Sequence, residues 1–212
     1  MNAAATVDTA KKLPALLKKL KGQFKLEPQP PRDATMQIVI AFFQWESTTP
    51  AAEEALDRIF TEMVDVNELR VTPDAETIRI VGDDYPLIAE RVRRMREVLN
   101  MVFAREHTLN LGSVASQGKK EQKIYLETLP AIPAYVMSSV ALLAFGIHAM
   151  PVDCQLIELL EQEGVIDAGL SVADCESLLL RNVKASDASE THLLLQAWVD
   201  DANKGKRKPK KK

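Results

Sequence analysis

The chain has 212 residues, of which 46% are hydrophobic and 5% aromatic, and it contains two cysteines. This length and composition exclude a disulfide scaffold and favour a globular protein of one large domain or two small ones. No apolar run reaches the roughly 20 residues that span a bilayer, so we expect a cytoplasmic protein without membrane contact.

Charge is distributed unevenly along the chain. Residues 204–212 carry seven positive and no negative charges, residues 1–26 carry six lysines and one aspartate, and residues 27–203 have a net charge of −15. A Lys/Arg/Pro-rich end such as residues 204–212 is typical of disordered arms that bind nucleic acid, here through Lys206, Arg207 and Lys208, or of solubilising tails. The acidic middle disfavours binding to phosphates.

The first third of the chain predicts three helices. Residues 10–21 place leucines on one face at helical spacing: Leu13, Leu16, Leu17 and Leu20. A linker with three prolines follows, and Asp33 or Thr35 can cap an almost wholly apolar and therefore buried helix that ends near Trp45. Pro50 suits the first turn of an amphipathic helix that extends to about Val64.

The remaining periodicity is also helical, and no alternation typical of strands persists. We expect a short segment at 66–70 and helices from 73, at 85–103, 111–126, 135–145 and 151–161, from 171, and at 186–199. The helix at 85–103 has a basic face that either contacts DNA or is simply solvated, formed by Arg91, Arg93, Arg94 and Arg96. The chain is therefore predicted to be all-α.

Three short motifs between Leu126 and Leu156 carry a resemblance. They are Leu129-Pro130, Ala144-Phe145-Gly146 and Pro151-Val152-Asp153. This order and spacing resemble the helix-hairpin-helix DNA glycosylases of the endonuclease III superfamily. The resemblance implies a two-lobed all-α HhH-GPD fold with a cleft between the lobes. The implied organisation is a basic helix and linker (1–33), a helical barrel with the hairpin (34–146), a C-terminal lobe (147–203) and a basic tail (204–212).

Asp153 matches the family's catalytic aspartate. Loss of a base builds positive charge on the deoxyribose, and a carboxylate beside a flipped-out nucleotide stabilises that charge or orients a water molecule. The alternative is a purely structural role, because Asp153 precedes a predicted helix and aspartate is a good N-cap. The two roles are compatible.

The hairpin departs from the family pattern. In the family, glycines let backbone amides approach a DNA phosphate, whereas this chain has Ala131-Ile132-Pro133-Ala134 there, and Pro133 has no N–H. Tyr135 stands where bifunctional members have a lysine and cannot form a Schiff base, although its ring can pack on a nucleotide. The four cysteines of an iron–sulfur cluster are also missing. We therefore expect neither lyase activity nor a cofactor or metal.

Trp45 and Glu46 follow the buried second helix. The family often has a glutamine at the position of Glu46, where it fills the gap left by the flipped base; a glutamate would repel phosphates unless it is protonated or turned away. Trp45 either belongs to the core or stacks on a base.

Three hypotheses remain open. The chain is a monofunctional DNA glycosylase, a catalytically degenerate relative that binds DNA or a protein, or an unrelated helical interaction protein. The partner that we expect is double-stranded, damaged DNA, bound by a monomer that is associated with the nucleoid.

Deletion of residues 204–212 tests the basic tail. We expect weaker binding to duplexes of any sequence and a shallower salt dependence, by roughly 0.9 units of log–log slope for each lost phosphate contact. Thermal stability should be unchanged. Titration of labelled duplex at several salt concentrations measures both quantities, and an unchanged affinity would mean that the tail serves solubility or another partner.

Overall fold

The structure is a computed structural model that describes residues 8–26 and 32–204. These residues form twelve α-helices and a 3₁₀ turn at Ala185–Asp187, and they contain no strand. The helices are α1 (Thr9–Gln23), α2 (Ala34–Gln44), α3 (Thr49–Glu62), α4 (Val66–Val71), α5 (Asp74–Val81), α6 (Ile88–Glu106), α7 (Gly112–Ala115), α8 (Lys119–Glu127), α9 (Ala134–Leu143), α10 (Cys154–Gln162), α11 (Val172–Asn182) and α12 (Ala188–Ala202). The predicted all-α class is confirmed.

The described chain divides into two compact units. A central unit comprises residues 32–151, and a terminal unit combines residues 8–26 with 152–204. No helix in the described residues is long and apolar enough to cross a membrane.

Helix α2 forms the centre of the central unit. Its residues from Ile38 to Phe43 have no exposed surface, and it packs against α3, α6 and α9. Asp33, rather than Thr35, caps it by accepting a hydrogen bond from the Met36 amide at 2.8 Å. An all-round apolar helix is stable only when neighbours cover every face, and three packed helices provide that cover.

One predicted helix is divided in two. The stretch 111–126 breaks at Gly118, whose extended backbone (ψ 155°) separates α7 from α8. The Gln122 side chain donates to the carbonyls of Ala115 and Gln117 across the break, at 2.9 and 3.0 Å. Helical periodicity continued through the glycine, so the pattern alone did not reveal the break.

Helix α1 belongs to the core of the terminal unit. Leu13, Leu16 and Leu20 are buried, and α1 packs against α11 and α12. Lys19 forms an ion pair with Glu163 at 3.0 Å, and Lys21 forms one with Glu190 at 2.7 Å. Both glutamates lie in the C-terminal part of the unit. The lysines of α1 thus neutralise carboxylates of their own unit.

Leu20→Ala should measure how much α1 stabilises the protein. Leu20 has no exposed surface, and truncation of such a leucine lowers the free energy of unfolding by about 2–5 kcal/mol. Lys18→Ala, on the exposed side of the same helix, should change it by less than about 0.5 kcal/mol. Denaturant unfolding compares the two variants; equal effects would show that α1 adds nothing to the core.

Candidate functional site

The hairpin between α8 and α9 contains a strained residue. Ala131 has a φ of 56°, in the left-handed region that glycine adopts without cost. Leu129 and Pro133 are buried, whereas Ala131 and Ile132 are half-buried and Ala134 is exposed. The hairpin therefore keeps a glycine-type backbone conformation without the glycine.

Helix α9 begins without a side-chain cap because its N-cap residue is Pro133. The Met137 amide donates to the Pro133 carbonyl at 2.9 Å, which starts the helical hydrogen bonding. The first turn carries the positive end of the helix dipole, an environment that favours an anion. Pro133 has no backbone N–H, so an anion at this position would contact the amides of the first turn of α9 but not an amide of Pro133.

Two arginines of α6 hold the hairpin. Arg94 donates through Nε to the Ala131 carbonyl at 2.6 Å. Arg105 donates to the Thr128 carbonyl at 2.7 Å and to its hydroxyl at 3.0 Å. Charged donors make stronger hydrogen bonds than neutral ones, so these contacts fix the backbone on both sides of the Leu129-Pro130 step.

The turn after α2 has a second strained residue. The Ser47 amide donates to the Gln44 carbonyl at 2.9 Å, Trp45 has φ −54° and ψ 122°, and Glu46 has φ 51°. These angles define a type II turn, in which the third position favours glycine. Trp45 is half-buried, and the guanidinium carbons of Arg91 and Arg94 lie 5.7 and 5.2 Å from its ring centre.

Arg91 lies in the core of the central unit. Its side chain has no exposed surface, so the interpretation of Arg91 as part of a DNA-contacting or solvated face is wrong. It donates to the Trp45 carbonyl at 2.6 Å and to the Pro86 carbonyl at 2.9 and 3.2 Å. Burial lowers the pKa of Arg91 to about 10, an effect that Tyr85, Glu46 and Tyr135 oppose through their charge interactions. Arg91 thus stays protonated at neutral pH.

The other arginines of α6 have partners at the surface. Arg93 pairs with Glu97 at 3.3 Å, Arg94 with Glu90 at 2.9 Å, and Arg96 with Asp74 at 3.0 Å. Pairing reduces the net charge that this helix presents.

Tyr135 lies in the first turn of α9 and is 4% exposed. Its expected packing on a nucleotide remains a prediction. Lys206, Arg207 and Lys208 lie outside the described residues.

Asp153 belongs to the terminal unit and is the N-cap of α10. Its Oδ1 accepts a hydrogen bond from the Leu156 amide at 3.0 Å, and the residue is 5% exposed. The structural role weighed from the sequence is therefore present. This hydrogen bond satisfies an amide in the first turn of α10 that has no partner within the helix.

The described part of the chain contains no candidate metal site. No group of three or more His, Cys, Asp or Glu side chains there is arranged to hold a metal ion. His192 is buried, and burial lowers its pKa to about 4, while burial raises the pKa of the Cys175 thiol to about 12.

Sequence reasoning missed the supporting roles of Arg91, Arg94 and Arg105. For Arg91 a signal existed, because it follows Ile88 by three residues and precedes Met95 by four, on the stripe that α6 buries. Arg94 is half-buried and Arg105 is exposed, and both lack such a signal, since an arginine that bonds a distant carbonyl has the same local pattern as any surface arginine.

Ala131→Gly should stabilise the protein. Glycine removes backbone strain of about 1–2 kcal/mol from the folded state. It also gives the unfolded chain more conformational entropy, which lowers stability by about 0.4–1 kcal/mol. The free energy of unfolding should therefore rise by roughly 0.5–1 kcal/mol. Ala134→Gly, at a helical position, should lower it by up to about 1 kcal/mol. Chemical denaturation gives both values, and destabilisation by Ala131→Gly would contradict the strain.

No family model matches the sequence, and no curated protein matches it. Several solved structures, however, match its fold. An endonuclease III–DNA trapped covalent intermediate matches with TM-score 0.70 and 16% identity, over 89% of this chain and 85% of that one. The Clostridium acetobutylicum 8-oxoguanine glycosylase/lyase in complex with double-stranded DNA gives 0.68 and 14%, over 92% and 70%. The H. pylori 3-methyladenine DNA glycosylase bound to 1,N6-ethenoadenine gives 0.63 and 12%, over 95% and 100%. At such identities the likeness establishes the fold: the chain has the all-α fold of the helix-hairpin-helix DNA glycosylases.

Proposed function

We propose that this protein is a monofunctional DNA glycosylase of base-excision repair, which binds damaged duplex DNA and flips a base toward Asp153. The observation that carries the proposal is the position of Asp153, held as the N-cap of α10 directly after Pro151-Val152 in a chain with the glycosylase fold. Burial to 5% exposure gives its charge a longer reach than it would have in water.

The proposed reaction is hydrolysis of the bond between the base and C1′ of the deoxyribose. As the base leaves with the bonding electron pair, positive charge develops on the sugar, and the Asp153 carboxylate stabilises it. A water molecule forms the new bond to C1′ and gives up a proton, for which a carboxylate is a suitable acceptor. Tyr135 replaces the lysine that would form an imine, so the product is an intact abasic site.

The distribution of charge in the central unit supports DNA binding by residues 85–134, which include the hairpin. Residues 85–134 contain eight Lys/Arg and five Asp/Glu, whereas residues 49–84 contain three and ten. The unit is therefore acidic as a whole but relatively basic along α6 and α8, which flank the uncharged hairpin. In the proposal, phosphate contacts come from this stretch and from the tail, which attract DNA by counterion release.

The hairpin also favours a second candidate, a DNA-binding relative without catalysis. Pro133 removes one amide and Ala131 puts a methyl group where a glycine would let a phosphate approach closely. Weaker phosphate binding would reduce the rate of base release, whereas a role that needs only DNA binding would persist. The two candidates differ in one measurable respect, the release of a base.

A panel of duplexes, each with a different damaged base, tests the activity through base release. We expect release of at least one base with an abasic site left intact, and no covalent protein–DNA adduct after borohydride treatment. Release of no base by protein that binds the duplexes would favour the degenerate candidate, and a trapped adduct would overturn the mechanism.

Asp153→Asn tests the carboxylate on the substrate that the panel identifies. Asparagine caps a helix about as well as aspartate, so stability should be nearly unchanged while the rate falls at least about a hundredfold, or about 2.7 kcal/mol in barrier. Asp153→Ala is the matched control for the cap and should also cost about 1 kcal/mol in stability. Base release at the wild-type rate by Asp153→Asn would remove Asp153 from the catalytic role.

A further inference from the structure

The central unit contains a cavity of about 530 Å³ at the end of α2 that is remote from the turn with Trp45. Its walls come from the starts of α2 and α4, from the end of α6 and from the loop 107–110. Helix α2 has 11 residues and rises about 1.5 Å per residue, so roughly 16 Å separates the cavity from that turn. Small-molecule sites occupy about 300–1,000 Å³, so the cavity is large enough to be a second site.

Arg70 is held in one orientation at the wall of this cavity. Its guanidinium carbon lies 4.1 Å from the centre of the Phe103 ring. Nε and Nη2 donate to Oδ1 of Asn67 at 3.1 and 2.9 Å, and Nη1 donates to Oδ1 of Asn100 at 2.9 Å. A guanidinium has five N–H groups, and two of those on Arg70 therefore remain for a ligand.

The partners of Arg70 orient its charge without neutralising it. Five other arginines of the central unit form ion pairs with carboxylates: Arg32, Arg58, Arg93, Arg94 and Arg96. Arg70 forms none with the described residues, because its acceptors are two neutral amides. A guanidinium with free N–H groups binds carboxylates through short, charge-assisted hydrogen bonds. Arg70 is thus arranged to bind an anionic group.

Two carboxylates give the same cavity a negative side. Asp33 caps α2 and Asp65 caps α4, each through Oδ1 at 2.8 Å from a backbone amide. These hydrogen bonds leave the second carboxylate oxygen of each residue for a ligand. His107, the C-cap of α6, lies at the negative end of that helix dipole. This side of the cavity therefore favours a positively charged group.

The charges around the cavity disfavour a polyanion such as DNA. Residues 49–84 contain ten Asp/Glu and three Lys/Arg, and like charges brought together at an interface cost several kcal/mol. A small ligand that carries one charge of each sign avoids this repulsion and satisfies both sides of the cavity. Val66 and Leu109, which are half-buried, add apolar wall for a hydrocarbon group.

We propose that this cavity binds a small zwitterion of the amino-acid class. Arg70 binds the carboxylate of the ligand, Asp33 and Asp65 bind its ammonium group, and the apolar wall contacts its side chain. The site goes beyond the proposed function and does not depend on it, because none of its residues belongs to the hairpin, to the turn after α2 or to α10.

Calorimetric titration with each of the standard L-amino acids tests the site. At least one should bind, and it should raise the melting temperature, because a ligand that binds only the folded state stabilises it. Acetate and putrescine each carry charge of one sign only, so each should bind at least about tenfold more weakly, the cost of one lost charge-assisted contact. Binding of no amino acid would overturn the proposal, as would acetate or putrescine binding as tightly as the best amino acid.

Variants test the roles of the three charged residues with the amino acid that binds best. Lysine keeps the charge of Arg70 but lacks the planar fork, so Arg70→Lys should weaken binding about tenfold. Asparagine caps a helix about as well as aspartate, so Asp33→Asn and Asp65→Asn should weaken binding similarly and leave the melting temperature of the free protein unchanged. Arg79→Met and Asp57→Asn are matched controls, since they remove exposed charges of the same unit outside the cavity.

The controls should bind the amino acid as the wild type does. Equal losses in the controls and in the cavity variants would show a general effect of charge and would overturn the site. These titrations contain no DNA, so their failure would overturn the zwitterion site alone. Absence of base release from the damaged duplexes would overturn only the proposed function.

Discussion

The buried guanidinium of Arg91 organises the loops at one end of the central unit. Removing a charge from water costs several kcal/mol. The compensation here comes from the carbonyls of Trp45 and Pro86 and from the rings of Tyr85 and Trp45, whose centres lie 5.0 and 5.7 Å away. The compensation is incomplete, because Nη1 has no hydrogen-bond acceptor among the described residues. A leucine would fill such a position in a core that served stability alone, so the arginine is explained by the backbone that it holds.

The hairpin and the turn after α2 share one physical design. Each places a residue with a side chain in a conformation suited to glycine, and each is held by an arginine of α6. Glycine would reach these conformations without strain but would also leave them easily. A side chain at the same position restricts the backbone conformations that the residue can adopt, and the hydrogen bond from the arginine stabilises one of them. Rigid loops of this kind lose little entropy when they bind a partner.

Sequence patterns predicted most of the fold because its helices are amphipathic or wholly apolar. Helix α2, the caps Asp33 and Asp153, and the order of helices all follow from local periodicity and short motifs. The motifs around Leu129, Phe145 and Asp153 also predicted the fold class. What local patterns do not encode is the partner of a long side chain: Arg94 bonds a carbonyl 37 residues away and Arg91 one 46 residues away. Glu46 follows the Trp45 carbonyl that Arg91 binds, and its left-handed conformation was equally hidden.

The terminal unit is assembled from both ends of the chain, and this has a consequence for biosynthesis. Lys21 and Glu190 are 169 positions apart, yet they pair in the same unit. During translation α1 leaves the ribosome before the rest of its unit, and its apolar face with Leu13 and Leu20 has no partner within that unit until α11 and α12 have been made. The central unit is continuous and can complete its core earlier, as domains that emerge first generally do. For most of synthesis, therefore, the basic N-terminal helix is an exposed amphipathic segment, a form that chaperones bind and that a stalled chain would leave open to proteolysis.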